Sequence, residues 1–153
     1  MEDICYTREV ALERAIDMES KSFRVYKDAY LKSRDRLAKD LLRDLALDEL
    51  KHRYTLEKAF FEETVLLHDL GRSKGTTMNL NLPLDEKPLS ESATAEDVMR
   101  YAINDEKRTV VFYRDMAEQC EGAPLAEMFK QLLQDEEDHL ARLEQLYQNV
   151  YMT

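Results

Sequence analysis

LALDELKH at residues 45–52 and LLQDEEDH at residues 132–139 decide how this chain is read. Each ends in Glu-x-x-His, and the two stand 87 residues apart. Residues three apart on an α-helix are neighbours on one face, so each motif offers a carboxylate and an imidazole side by side. Thirty residues before each of these Glu residues lies another, followed seven later by a Tyr. The first half thus holds Glu19, Tyr26, Glu49 and His52, and the second holds Glu106, Tyr113, Glu136 and His139. The same offset relates Ala15 to Ala102, Ile16 to Ile103, Leu45 to Leu132, Asp48 to Asp135 and Leu56 to Leu143. The chain reads as one helical hairpin written twice, with a pseudo-two-fold axis between the copies.

Composition agrees with an all-α chain. Its 153 residues suffice for a single domain spanning 1–153 with a hydrophobic core. Only 3 Gly and 3 Pro occur while 35% of residues are charged, the balance of long helices with wet faces and few turns. The net charge of -10 repels phosphate backbones and argues against nucleic acid as a partner. No run approaches 18 apolar residues, so no membrane span is expected. The acidic start, MEDICYTREV, has no apolar stretch of the kind a secretory leader needs. Cys5 and Cys120 form no Cys-x-x-Cys and read as inert, reduced thiols, which together with the missing leader suggests a cytoplasmic protein.

Four helices follow from apolar residues at helical spacing. The first runs from about residue 6 to 33, with Leu12, Ile16, Phe23, Tyr26 and Tyr30 on one stripe. The second runs from about Asp35 to Leu70, where Gly71 supplies a stop. The third starts at Thr94, where Thr94-Ala95-Glu96-Asp97 resembles a capping box with Asp for Glu, and Gly122 ends it. Pro124 suits the first turn of the fourth, which reaches about Val150. Residues 71–93, with Gly75, Pro83 and Pro88, form a long crossover, whereas the other two connections are short. The expected fold is a four-helix bundle of two hairpins, about 6–70 and 94–150, joined by that crossover.

The four Glu residues lie on the wrong face for solvated acids. Glu19 is seven after Leu12, Glu49 four after Leu45, Glu106 seven before Tyr113 and Glu136 four after Leu132, all in register with the core. An unpaired buried charge is strongly destabilising, and shared divalent cations compensate it economically. A bundle can offer one Glu from each of two helices and Glu-x-x-His from each of the other two, enough for two metal ions. Oxygen with imidazole suits iron or manganese, and the absence of thiolate argues against structural zinc. Tyr26 and Tyr113 are placed to hydrogen-bond ligand carboxylates or to donate an electron; equally, they are amphipathic core residues. His68 has Val65 three before it and is not assigned to the site. Asp48, Asp135, Glu137 and Asp138 read as solvated acids, some of which could support the histidines.

With AIDMESKSFRVY before LALDELKH, and AINDEKRTVVFY before LLQDEEDH, nearly the whole chain except the crossover resembles the rubrerythrin branch of the ferritin-like superfamily. That resemblance implies a ferritin-like bundle with two iron ions in a non-haem centre, manganese or zinc being possible substitutes. It implies that Glu49 and Glu136 bridge the metals, that Glu19 and His52 bind one, and that Glu106 and His139 bind the other. The chain departs from rubrerythrin in having no rubredoxin-like Cys-x-x-Cys knuckles, so electrons would come from a separate donor protein. An additional ligand Glu one turn from the third-helix Glu is also missing: those positions are Ile103 and Thr109. The remaining set is symmetrical, as in bacterioferritin, but that family's haem Met corresponds to Leu50, and only 14 residues follow His139, too few for the short fifth helix of a storage cage.

The expectation is an oxidoreductase that reduces hydrogen peroxide, or dioxygen, to water in oxidative-stress defence. Iron capture with ferroxidase activity is the first alternative, and a metal-free helical interaction module the second. A homodimer is compatible with either metal-binding reading.

Overall fold

The computed structural model describes residues 8–69 and 92–152, and within these it contains four α-helices and no strand. They are α1 (Arg8–Lys32), α2 (Arg36–Asp69), α3 (Ala95–Gln119) and α4 (Pro124–Tyr151). The expected bundle is therefore present, and its boundaries fall within a few residues of those read from the sequence. The proposed stop at Gly71 and the crossover path lie outside the described residues.

Local chemistry explains where the helices begin and end. Asp35 Oδ1 accepts from the Ala38 amide at 2.8 Å and satisfies a donor that the first turn of α2 leaves open. At α3 the Asp-for-Glu capping box is formed: Asp97 N donates to Thr94 Oγ1 at 3.1 Å, and Thr94 N donates to Asp97 Oδ2 at 3.0 Å. Gly122 sits at φ +87 between α3 and α4, a backbone state that a side chain would strain. Pro124 occupies the first turn of α4, where its missing N–H is no loss.

α1 and α3 run antiparallel at the centre of the bundle, since Tyr26 reaches Glu106 while Tyr113 reaches Glu19. The apolar core is divided in two. One cluster contains Leu12, Ala15, Leu56, Phe112, Met116, Phe129 and Leu132. The other contains Ala29, Leu42, Leu45, Val98, Met99, Ala102 and Leu143. Each draws on all four helices, and the repeat exchanges them: Ala15 and Leu56 lie in one, Ala102 and Leu143 in the other. The charged layer occupies the level between these two apolar blocks.

The cysteine expectation is corrected in part. Cys120 is disulfide-bonded, not a free thiol, and no free cysteine occurs among the described residues. Spacing gave no hint of this, because the relevant proximity is tertiary. Cys120 caps α3 in the same apolar cluster as Ala11 and Leu12 of α1. Cys5 itself lies outside the described residues. Replacing Cys120 by Ser should lower the unfolding free energy by about 2–4 kcal/mol without reductant. In excess reductant the difference should nearly vanish; equal stability under oxidising conditions would show that the bond contributes nothing.

Candidate metal centre

All six expected ligands converge between the apolar blocks, and all six are buried. α1 brings Glu19, α2 brings Glu49 and His52, α3 brings Glu106, and α4 brings Glu136 and His139. Their potential ligand atoms form two groups, Glu19–Glu49–His52–Glu136 and Glu49–Glu106–Glu136–His139, with the atoms of each group within 4.8 Å of one another. Glu49 and Glu136 belong to both groups. They are therefore the two residues placed to reach a pair of ions at once, while each remaining Glu and His serves one side.

The histidines present Nδ1 to the acids. His52 Nδ1 lies 3.0 Å from Glu136 Oε1 and 3.5 Å from Glu19 Oε2. His139 Nδ1 lies 2.8 Å from Glu49 Oε1, 3.1 Å from Glu136 Oε2 and 3.6 Å from Glu106 Oε1. Their rings stack with centroids 5.6 Å apart. The opposite nitrogens point outward to partly exposed acids of the other hairpin: His52 Nε2 donates to Asp135 Oδ2 at 3.1 Å, and His139 Nε2 donates to Asp48 Oδ2 at 3.2 Å. An ionised carboxylate only accepts, so these contacts fix the proton on Nε2 and leave Nδ1 as the ligand atom in the neutral ring. Asp48 and Asp135, read from the sequence mainly as solvated, are thus the histidine supports. Glu137 and Asp138 are exposed, as expected, and pair with Arg114 and Arg142.

The two tyrosines are also shared across the hairpins. Tyr26 Oη donates to Glu106 Oε2, and Tyr113 Oη donates to Glu19 Oε1 at 2.5 Å. Burial and then the facing Glu charges raise both phenols well above their ordinary pKa, so both keep their protons as donors. The side chain of His68 lies outside the described residues. Ile103 packs against the apolar core, and the Thr109 hydroxyl donates to the Asp105 carbonyl at 3.1 Å, so neither position adds a carboxylate to the cluster.

Four buried oxygens remain without a hydrogen-bond partner: Glu19 Oε2, both oxygens of Glu49, and Glu106 Oε1. Glu49 Oε1 is close to His139 Nδ1 but not in hydrogen-bonding geometry. Such oxygens are costly to bury unless a cation completes them, and the donor set of carboxylates and imidazoles fits hard to borderline divalent ions. Without a cation, protons must balance the charge. Burial and then the Glu136 and Glu19 charges push Glu49 well up; burial followed by the Glu19 and Glu106 charges does the same to Glu136. Burial pushes Glu19 up, but the neighbouring Glu49 carboxyl, the His52 imidazole and the Tyr113 hydroxyl together carry it down. Burial opposes the charge on both imidazoles, but the carboxylates prevail and raise His52 to about 11 and His139 to about 10.

A polar cluster beside the site was not recognised from the sequence. Buried Asp105 accepts from Ser22 Oγ at 3.0 Å and lies 3.2 Å from Lys21 Nζ and 3.6 Å from Arg108. The available signal was a break in the repeat: at an offset of 87, Asp105 corresponds to Met18.

The bundle and its layer of four Glu and two His define a ferritin-like carboxylate protein. The rubrerythrin family model matches residues 10–147, so the chain belongs to the rubrerythrin family. Among solved structures it is similar to a two-domain protein from Anabaena variabilis with DJ-1/ThiJ/PfpI-like and ferritin-like domains, at 21% identity and a TM-score of 0.65. That match covers 95% of this chain but 38% of the other. CopM in a silver-bound form matches at 14% identity and a TM-score of 0.67, over 95% of this chain and 98% of CopM. These likenesses concern the fold. A search of curated proteins finds no match.

Two outcomes follow from the geometry. Asp48→Asn and Asp135→Asn should each weaken metal binding about 10–100-fold while preserving helix content; unchanged metal affinity would remove their role as supports. The raised imidazole pKa values also give the metal-free protein a pH dependence. The folded state holds its histidine protons above pH 6.5, where the unfolded state loses them, so stability falls as pH rises towards 10–11. Thermal unfolding in chelator should show that decline. A flat profile over the same range would contradict the charge balance.

Proposed function

We propose that this cluster holds two iron ions and that the protein is a non-haem di-iron oxidoreductase reducing hydrogen peroxide to water, with dioxygen as an alternative oxidant. The observation that carries the reading is the sharing of Glu49 and Glu136 between two four-residue groups, among which four buried Glu oxygens lack hydrogen-bond partners. Bound ferrous ions would supply the two electrons that peroxide reduction consumes, together with two protons, to give two water molecules. Glu49 and Glu136 would hold both ions, Glu19 and His52 one, and Glu106 and His139 the other. Manganese or zinc would be accepted by the same donors. Silver, which CopM holds in its silver-bound form, is a soft ion that prefers sulfur, and these six residues offer none.

The protein's own groups support that chemistry. Tyr26 and Tyr113 orient Glu106 and Glu19, while Asp135 and Asp48 hold the imidazoles with Nδ1 inward. The apolar blocks above and below restrict water at the cluster. Electrons would come from a separate donor protein. A cytoplasmic setting is the sequence expectation; no described helix is long and apolar enough to cross a membrane, and the Cys120 disulfide is the feature that argues for a more oxidising environment.

The second reading is iron capture with ferroxidase activity. It is favoured by the symmetrical six-residue set, since Ile103 and Thr109 stand where a seventh carboxylate would break that symmetry. A metal-free interaction module leaves the partnerless oxygens unexplained.

Anaerobic titration with ferrous iron should saturate near two ions per chain, and Glu49→Ala or Glu136→Ala should lose far more metal than His68→Ala. Saturation near zero in folded protein would remove the di-metal reading. Stopped-flow oxidation should be much faster with peroxide than with dioxygen, because two ferrous ions match the two-electron demand of peroxide. Slow peroxide oxidation with many ferric ions accumulating per chain in air would favour iron handling.

A further inference from the structure

The end of the bundle where α1 turns into α2 carries side chains that the core does not use. Leu31 and Leu37 are 65% and 74% exposed there, and Arg34 and Arg36, between them in sequence, are exposed as well. α3 runs antiparallel to α1 and turns back into α4, so α4 ends where α1 ends. Met152, 68% exposed just beyond α4, therefore stands at the same end. The repeat supplies an internal control. At an offset of 87, Leu31, Arg34, Arg36 and Leu37 correspond to Glu118, Glu121, Ala123 and Pro124, at the turn on the opposite end of the bundle. Both turns join the same kind of helix pair, so exposed leucine and arginine at one of them are no requirement of the hairpin.

The charges left free at this end are positive. Arg34 and Arg36 form no ion pair among the described residues. Lys39 Nζ donates to the Tyr30 carbonyl at 3.0 Å, which leaves its charge unneutralised. The nearby acids are already engaged. Asp35 accepts from the Ala38 amide, Asp97 closes the cap of α3, and Glu96 accepts from Arg100 Nη2 and Tyr147 Oη, both at 2.9 Å. Leu31 and Leu37 project from a turn instead of lining a groove, so they suit a flat, deformable partner. A second copy would set Arg34 and Arg36 against their own kind. An anionic bilayer meets both demands: apolar side chains enter the boundary between headgroups and acyl chains, and guanidinium groups pair with phosphate oxygens. The net charge of -10 does not forbid the contact. α1 has 25 residues and is about 37 Å long, whereas the Debye length at 0.1 M salt is about 10 Å. Acids along the rest of the bundle are thus largely screened from a surface that touches this end.

We propose that this end of the bundle docks on an anionic lipid surface, with Leu31, Leu37 and Met152 entering the bilayer boundary and Arg34 and Arg36 holding headgroup phosphates. The assignment does not depend on the peroxidase reading. In flotation at about 0.1 M salt, the native chain should bind vesicles of phosphatidylserine with phosphatidylcholine and should not bind vesicles of phosphatidylcholine alone. A cation beside an anionic surface contributes about five-fold in affinity, so Arg34→Gln combined with Arg36→Gln should weaken binding about 25-fold. Leu31→Ser combined with Leu37→Ser should weaken it at least about tenfold. Both double variants should keep native helix content and metal stoichiometry, since all four residues lie outside the core. Glu118→Gln, at the opposite end, should bind as the native chain does. The proposal is overturned by a native chain that stays off the phosphatidylserine vesicles, or by double variants that bind them as tightly as the native chain. A native chain that ignores vesicles, but whose reduction by a donor protein is lost in the double arginine variant, would overturn it too and give this end to an acidic donor.

Discussion

Mutual repulsion among four buried carboxylates is the constraint on which this structure depends. Glu19, Glu49, Glu106 and Glu136 are packed at one level of the bundle and are fully buried there. Two imidazoles offset part of that repulsion, protons on Glu49 and Glu136 offset more in the metal-free chain, and bound cations would replace those protons. The division of the core into two apolar blocks follows from the same constraint. A charged layer cannot share its level with Leu and Phe, so the hydrophobic stabilisation has to come from above and below it.

The interactions that orient the layer cross between the two halves of the chain. Each tyrosine bonds a Glu of the other hairpin, and each histidine is held by an Asp of the other hairpin. The cluster consequently cannot be assembled by either hairpin alone, which couples formation of the site to docking of the two. Networks of this kind give a single arrangement only when every member is satisfied, and the partnerless Glu oxygens are the members that a cation would complete.

Much of this was legible before any coordinates. The 87-residue repeat gave the hairpins, and Glu-x-x-His on core-facing stripes gave the cluster, because periodicity and residue type are local properties of the chain. The capping box at Thr94 and the turn at Gly122 were legible for the same reason. What stayed hidden depends on tertiary proximity. Nothing in the spacing says that Asp135 reaches His52, that Tyr26 selects Glu106 over Glu19 of its own helix, or that Cys120 is bonded.

The break in the repeat at Asp105 makes the two ends of the cluster inequivalent. Beside Glu106 the chain places a buried acid tied to Ser22 and Lys21, whereas the corresponding position beside Glu19 is the thioether of Met18. Two nearly identical ligand sets thus lie in different local fields. Cations entering from solution would then meet two unequal sites, and one position would fill before the other.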